Sequence, residues 1–128
     1  MNIKVDVSLG ELVDKISILR IKQKFITDQE KLAHVNKEES VLSKTLQELE
    51  LDGIEAFLEE LVEVNSKLWK IEDDIRDKER SKSFDQEFID LARAVYVTND
   101  QRFDVKNRIN SQYQSGLREV KSYQEFTS

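Results

Sequence analysis

The stretch from Ile54 to Arg76 constrains the fold most, because its apolar residues recur every three or four positions. At about 100° per residue, these residues gather on one broad side of a helix. That side carries Ile54, Phe57, Leu58, Leu61, Val64, Leu68, Ile71 and Ile75. Asn65 and Glu72 lie in the middle of the same side, with Arg76 one turn further on. A helix that buries this side needs partners for an amide and a carboxylate, because an unpaired buried polar group costs ~1–3 kcal/mol and a charge costs more.

The remaining chain also favours long helices. Its 128 residues are enough for one domain, 1–128, and they include no Pro and three Gly, so few positions break a helix. Ser8, Thr27 and Ser83 are each followed three residues later by Glu or Gln, which is the spacing of a capping box. An Asp52-Gly53 turn precedes the Ile54 helix, with Asp52 as its predicted cap. The sequence therefore predicts an all-α fold, an antiparallel bundle of about four helices spanning approximately 9–26, 28–51, 53–79 and 85–114.

Both ends of the chain carry apolar residues outside these helices. Asn2–Val7 alternates apolar and polar residues, which predicts a short strand or an extended arm that lies on the bundle or pairs with another segment. Glu119–Phe126 is a candidate partner for that arm. Leu117, Val120, Tyr123 and Phe126 predict a C-terminal tail docked on the bundle.

The first predicted helix is apolar on two sides. Leu9, Leu12, Val13, Ile16 and Leu19 form one stripe, and Ile18, Ile21 and Phe25 form a second on nearly the opposite side. A helix of this kind is covered on both sides. It therefore lies either in the middle of the fold or at an interface with a second subunit, and we expect a homodimer.

Composition excludes several classes of function. The chain has no Cys and one His, which removes disulfides, thiolate chemistry and multi-histidine metal centres. No apolar run approaches the ~18–20 residues of a membrane span, and no signal peptide is evident, so we expect a soluble cytoplasmic protein. The net charge is −6, with nine acidic residues and one basic residue between Glu38 and Glu63. An acidic chain is a poor ligand for nucleic acid or anionic membranes, and we assign no cofactor.

Helical phase places several polar residues on inward faces of different helices, where we expect them to meet. They are Asp14, Lys15, Asn65, Glu72, Arg76, Asn99, Arg102 and Lys106. One interpretation is a buried polar network that fixes helix pairing. The other is a pocket for a small anionic ligand, with Arg102, Lys106 and Arg76 as charge partners. Trp69 and Tyr96 lie at the rims of their stripes, either stacking on a ligand or forming the edge of the core.

No residue is assigned a catalytic role, because nothing identifies a nucleophile or a second catalytic group. Glu59-Glu60-x-x-Glu63, followed by Glu87-x-x-Asp90, resembles the acidic signature of MazG-type nucleotide pyrophosphohydrolases, which implies Mg²⁺ binding by these carboxylates. Helical phase points these acids away from the apolar faces of their helices. They are therefore not predicted to converge, and we assign no metal ligand.

Several short motifs follow one another at characteristic spacing. They are Gly10-Glu11-Leu12 with Asp14-Lys15, Leu68-Trp69 with Ile71-Glu72-Asp73 and Ile75-Arg76, then Phe88-Ile89, Leu91-Ala92-Arg93, Val95-Tyr96 and Asn99-Asp100 with Arg102, and finally Lys121-Ser122-Tyr123. Together they resemble a bacterial family catalogued as a domain of unknown function, from Val5 to Tyr123. This resemblance implies no particular activity, ligand or site residue.

The function predicted from these features is a non-catalytic interaction or assembly module with a polar network inside the bundle. Its partner would be another protein or a second copy of the chain. The alternative is a binding protein or enzyme that acts on a small anionic metabolite or nucleotide, with a MazG-like Mg²⁺-dependent pyrophosphohydrolase as a further possibility.

Overall fold

A computed structural model describes residues 1–116 and 120 of the chain. These residues fold into four α-helices. The helices are α1 (Leu9–Phe25), α2 (Gln29–Glu48), α3 (Ile54–Arg80) and α4 (Gln86–Gln112). The predicted all-α class and the number of helices are confirmed. The predicted bounds are correct to within three residues, with the largest difference at the end of α2.

Side chains cap three of the four helices at their N-termini. The Ser8 hydroxyl accepts a hydrogen bond from the Glu11 amide at 3.2 Å, as its spacing predicts. The caps predicted at Thr27 and Ser83 are wrong, because Asp28 caps α2 and Asp85 caps α4. Each aspartate lies one or two residues further along, and its carboxylate adds a favourable interaction with the helix dipole.

The start of α3 uses backbone conformation in place of a side-chain cap. Gly53 is the N-cap residue with φ of 81°, and no side chain caps the helix. This left-handed conformation favours glycine, so the Asp52-Gly53 turn was placed correctly whereas its predicted cap at Asp52 is wrong. The Asp52 backbone carbonyl instead accepts a hydrogen bond from the Tyr113 hydroxyl at the end of α4.

Helix α1 occupies the middle of the fold. Its backbone closely approaches those of α2, α3 and α4, whereas α2 closely approaches only α1. Consecutive helices run antiparallel, so α1 and α3 run in the same direction. Because α2 covers α1 on the side away from the α3–α4 pair, the apolar character of α1 on two sides requires no second subunit.

The hydrophobic core lies between all four helices near the N-terminal end of α1. Its buried members are Val13, Ile16, Leu46, Ile54, Leu58, Leu61, Val105 and Ile109. Helix α2 contributes one of them, Leu46, in agreement with the narrow apolar stripe that predicts an outer helix. The core therefore depends mainly on α1, α3 and α4.

The α3–α4 pair extends beyond this core. Every buried residue of α3 lies between Ile54 and Leu68, and every buried residue of α4 lies between Thr98 and Asn110. Helix α1 ends at Phe25, whose ring stacks on Trp69 with 5.7 Å between centroids. Beyond that contact α3 continues for eleven residues, which is about 16 Å of helix. We call residues 69–97 the projecting hairpin.

The N-terminal arm is extended and exposed. Residues 1–7 form no strand, and Ile3 and Val5 are largely in solvent. The prediction that the arm lies on the bundle is therefore wrong, because its apolar side chains face solvent. The alternative, pairing with another segment, finds no strand among the described residues. The predicted docked tail depends on Leu117, Tyr123 and Phe126, which lie outside the described residues, as does most of the arm's candidate partner Glu119–Phe126.

The α4 N-cap predicts a local dependence on pH. Lys78 Nζ lies 3.0 Å from Asp85 Oδ2 and 2.9 Å from Glu87 Oε2 at the tip of the hairpin. The hydrogen bond from Lys78, followed by that from the Phe88 amide, lowers the pKa of Asp85 below its ordinary 3.8. Hydrogen bonds to Glu87 and Asp85 raise the pKa of Lys78.

Because the pKa of Asp85 is lower in the folded state, the ionised carboxylate stabilises the start of α4 fully above pH 3.8. This stabilisation is lost as the pH falls through the pKa of Asp85 in the folded protein. We expect the Phe88 amide proton to report this transition in an NMR titration. Lys78→Ala should move its midpoint upward, towards 3.8. A midpoint that Lys78→Ala leaves unchanged would contradict the assigned cause.

Candidate functional site

The polar centre of the protein joins three helices. Asp14 of α1 is 1% exposed, and its carboxylate receives hydrogen bonds from both α3 and α4. Arg102 Nε donates to Asp14 Oδ1 at 2.9 Å, and Arg102 Nη2 donates to Oδ2 at 2.5 Å. Asn65 Nδ2 donates to the same Oδ1 at 2.9 Å. The structure thus brings together three of the predicted residues, Asp14, Asn65 and Arg102.

A fourth residue, Ser17, completes this cluster. The Asn65 amide donates its second hydrogen bond to Ser17 Oγ at 2.8 Å, and Ser17 Oγ donates to the Asp14 backbone carbonyl at 2.6 Å. Ser17 and Asn65 are both buried. We call Asp14, Ser17, Asn65 and Arg102 the polar cluster. Its buried groups are hydrogen-bonded to one another, which is the condition under which polar side chains are tolerated in a core.

Further polar contacts fix the N-terminus of α1 against α4. Asn110 Oδ1 accepts a hydrogen bond from the Gly10 amide at 2.7 Å, and Ser115 Oγ accepts one from the Leu9 amide at 3.3 Å. These two contacts and the Ser8 cap provide side-chain acceptors for three of the first backbone amides of α1. The helix N-terminus is therefore occupied by the protein itself, whereas an anion site needs such amides free.

The fourth predicted residue at this interface, Lys106, also has a counter-charge. Lys106 is buried, and its Nζ lies 2.9 Å from Glu11 Oε2. The two interior cations of α4 thus each face a carboxylate of α1, Arg102 with Asp14 and Lys106 with Glu11. Because these positive charges are already compensated, the arrangement favours a role in helix pairing over binding of an anion.

The chemistry of the polar cluster is not that of an activated nucleophile. The Ser17 hydroxyl donates its proton to a backbone carbonyl, whereas a catalytic serine donates to a base. The Asp14 carboxylate accepts hydrogen bonds from a guanidinium and an amide. The geometry therefore provides orientation and charge compensation between helices.

Glu72 and Arg76 do not join the polar cluster, contrary to the prediction from helical phase. Their side chains pair with each other along the surface of α3 at 3.7 Å, and the Glu72 side chain is 42% exposed. The phase of Glu72 is the same as that of Asn65, but α1 ends at Phe25, opposite Trp69. The face of α3 that is interior at Asn65 is therefore solvent-facing about two turns later, at Glu72.

The other predicted residues lie at the edges of the bundle. Lys15 is exposed and pairs with Glu38 of α2 at 3.1 Å. Trp69 is half-buried under Phe25, which places it at the edge of the core. Tyr96 is exposed and Asn99 is half-buried on α4. Lys15 and Trp69 thus have partners other than Asp14.

Sequence reasoning missed Ser17, Asn110 and the packing role of Gly10. A Cβ atom at Gly10 would lie 2.6 Å from the Lys106 carbonyl oxygen, so α1 and α4 approach too closely for any side chain there. Gly10, Asp14 and Ser17 share one narrow face of α1 at intervals of four and three residues. Small residues on both sides of a charged one are a signal of close helix packing, and this signal was available in the sequence.

The acidic residues that resemble a pyrophosphohydrolase signature are dispersed. Glu60 pairs with Arg108, and Glu87 pairs with Lys78 at the opposite end of the α3–α4 pair. Within residues 1–116 and 120, no group of three or more His, Cys, Asp or Glu side chains is placed to hold a metal ion. Glu60 and Glu87 thus pair with different cations at opposite ends of the α3–α4 pair.

Two of the cavities that described residues line do not include the polar cluster. One, of about 620 Å³, lies between the C-terminal end of α3 and the N-terminal end of α4, around Asp77, Lys78 and Glu87. The other, of about 310 Å³, lies between α1 and α3 around Arg20, Ile21 and Val62. The polar cluster therefore forms the wall of neither cavity.

The surface position of Glu72 carries a prediction. Glu72→Ala should change the free energy of unfolding by no more than about 0.5 kcal/mol, because its pair with Arg76 is exposed and separated by one helical turn. Chemical denaturation measures this change directly. A loss of several kcal/mol would instead place Glu72 in a buried network and contradict the structure.

The fold and the polar cluster define the chain as a small helical-bundle protein whose central helix is fixed to its neighbours by buried polar side chains. Within the described part of the chain, none of the four helices combines the length and hydrophobicity of a bilayer-spanning segment. The chain belongs to DUF6165, a family of unknown function, whose match covers residues 3–128. No curated protein and no solved structure matches the chain.

Proposed function

We propose that this protein is a non-catalytic helical module for protein–protein interaction or assembly, and that the projecting hairpin is its binding surface. The observation that carries the proposal is the distribution of burial along α3 and α4. Both helices contribute buried residues up to Leu68 and from Thr98, and none of residues 69–97 is buried. An antiparallel helix pair without further cover buries its apolar residues incompletely, so it gains stability by binding a partner.

One stripe of α4 supports this surface in particular. Arg102 and Lys106 face α1, because their side chains contact Asp14 and Glu11. Continued towards the N-terminus of α4, the same stripe becomes apolar and passes beyond the end of α1. It comprises Phe88, Ala92 and Val95, and Phe84 lies directly before the α4 cap. We call these four residues the hairpin face, and among the described helices none lies opposite it.

Phe84 of the hairpin face is strongly exposed for an aromatic residue, whereas Phe88, Ala92 and Val95 are half-buried. Phe84 is 57% exposed and meets Phe88 edge to face, with 5.2 Å between ring centroids. Phe25 is 50% exposed at the base of the same face. Aromatic residues are enriched in protein interfaces because they bury a large area with little loss of side-chain freedom. A protein partner is therefore the class of ligand that fits this surface.

Site-specific photo-crosslinking tests the proposal. A photoreactive phenylalanine analogue at position 84 should crosslink to protein in extracts of the source cells, whether to another copy or to a different chain. The same analogue at Val41, an exposed residue of α2, is the matched control. Crosslinking at 84 that does not exceed the control would reject the projecting hairpin as a binding surface.

The alternative of a small anionic ligand has less support, because Asp14 and Glu11 already compensate Arg102 and Lys106. A thermal-shift panel of nucleotides, sugar phosphates and Mg²⁺ examines it directly. A specific ligand that raises the melting temperature by several degrees, and loses this effect in Lys106→Gln, would favour the metabolite alternative over the interaction module.

A further inference from the structure

The occupant of the hairpin face can be specified further. We propose that it is the hairpin face of a second copy of this chain, bound in an antiparallel, two-fold symmetric arrangement. The inference rests on the proposed function and adds the identity and orientation of the partner. Its support is the self-complementary distribution of aromatic residues and charges along the projecting hairpin.

Exposed aromatic residues stand at the two ends of this surface. Phe84 lies at the tip, directly before the α4 cap, and the stacked pair of Phe25 and Trp69 lies at the base. A two-fold axis between two antiparallel hairpins places each tip against the other base. In such an interface every contact occurs twice, so the partly exposed Phe84 and Phe25 cover each other in both copies. Phe88, Ala92 and Val95 lie between these ends and would meet near the axis.

The charges of α3 agree with the same orientation. In the antiparallel arrangement, residue 69 of α3 in one copy lies level with residue 80 of α3 in the other. Arg76 of each copy is then level with Asp73 of the other, and both residues are exposed in the single chain. Pairs of this kind add little affinity and mainly select register and orientation. A parallel alignment would instead place Arg76 beside Arg76.

The size of the surface predicts a weak dimer. The side of the projecting hairpin that carries the hairpin face is about 16 Å long and two helices, or about 20 Å, wide. Stable protein interfaces bury at least about 1,000 Å² in total, and two surfaces of this size bury less than that. Association should therefore depend on concentration, with monomer and dimer both populated between about 1 µM and about 1 mM.

Sedimentation or light scattering over this concentration range gives the first test. The mass should rise from 15.0 kDa towards twice that value as concentration increases. Trp69 is the single tryptophan of the chain and lies at the proposed contact, so its fluorescence should change with the same midpoint. Phe84→Ser should shift this midpoint at least tenfold to higher concentration. Val41→Ser, on the exposed surface of α2, is the matched control and should leave it unchanged.

A mixing experiment tests the orientation. Arg76→Glu alone and Asp73→Arg alone each place like charges at both symmetric contacts, so each variant should dimerise less than the unmodified chain. Mixed together, the two variants form opposite charges at both contacts, and association should return. Circular dichroism confirms that each variant remains folded. Recovery only on mixing supports the antiparallel arrangement, whereas no recovery on mixing overturns it.

The remaining outcomes separate this inference from the proposed function. A strict monomer at every concentration overturns the second copy as partner. In that case, crosslinking of position 84 to a different protein would still support the interaction module. A dimer that withstands Phe84→Ser but dissociates when residues 2–7 are deleted would place the interface on the N-terminal arm and overturn the inference.

Discussion

Asp14→Ala should lower the free energy of unfolding by about 3–5 kcal/mol, the largest loss expected from a polar substitution in this protein. The carboxylate is buried and accepts hydrogen bonds from Arg102 and Asn65. Its removal takes away an acceptor of the partly buried Arg102 guanidinium and one of the two acceptors of the Asn65 amide. Breaking a buried ion pair costs more than the contacts themselves contribute. Urea or guanidinium denaturation measures the change.

The matched control is Asp104→Ala on the exposed side of α4, which should change stability by no more than about 0.5 kcal/mol. A double-mutant cycle with Arg102→Ala then isolates the coupling. Asp14→Ala and Arg102→Ala together should cost less than the sum of the two single losses, by about 0.5–3 kcal/mol. Additive losses would show that the two side chains do not interact in solution, contrary to the bidentate contact.

Gly10→Ala should destabilise the protein by about 1–3 kcal/mol, although alanine is the better helix former. The new Cβ would lie 2.6 Å from the Lys106 backbone carbonyl oxygen, and a carbonyl in the middle of a helix has little freedom to move. Helix α1 would have to shift away from α4. That shift would also lengthen the 2.7 Å hydrogen bond from the Gly10 amide to Asn110.

Gly116→Ala is the control for this substitution, because nothing lies within 4 Å of the position that its Cβ would take. Its effect on the denaturation midpoint should be small or stabilising, since alanine reduces the freedom of the unfolded chain. A Gly10→Ala protein as stable as the original would mean that α1 and α4 pack less closely than the structure shows.

The protein has two parts with different physical character. The end of the bundle around the core and the polar cluster is fixed by buried contacts between α1, α3 and α4. The projecting hairpin depends on one helix pair, with exposed aromatic residues at its tip and base. Substitutions at Asp14 and Gly10 should therefore reduce stability, whereas those at Phe84 and Arg76 should alter association and leave the fold in place.

The sequence was a good guide to the helices and to the outer position of α2. Periodic apolar residues and turn residues are local features, and local features decide where a helix forms. The exact caps were harder, because neighbouring residues with similar capping ability compete, as Thr27 and Asp28 do. The arm shows a different limit, since its alternating pattern indicates an extended chain and says nothing about whether a strand lies beside it.

For the polar cluster, helical phase identified Asp14, Asn65 and Arg102 as inward-facing residues of three helices, and the structure brings these three together. It missed Ser17, which donates to a backbone carbonyl and accepts from the Asn65 side-chain amide. It also missed Asn110, which accepts from a backbone amide. No pattern of charges reveals these partners. Helical phase also placed Glu72 inside, where the structure has it at the surface.

The sequence by itself determined the four helices, the face that each presents and the polar residues on those faces, because each depends on neighbours within a few turns. The tertiary structure alone decided which turn of α3 lies beside the C-terminal end of α1. Burial requires another helix at the same level, and that level depends on how distant segments align. Asn65 therefore became part of a buried cluster, whereas Glu72, on the same face, and the apolar stripe of α4 beside it were left beyond the end of α1.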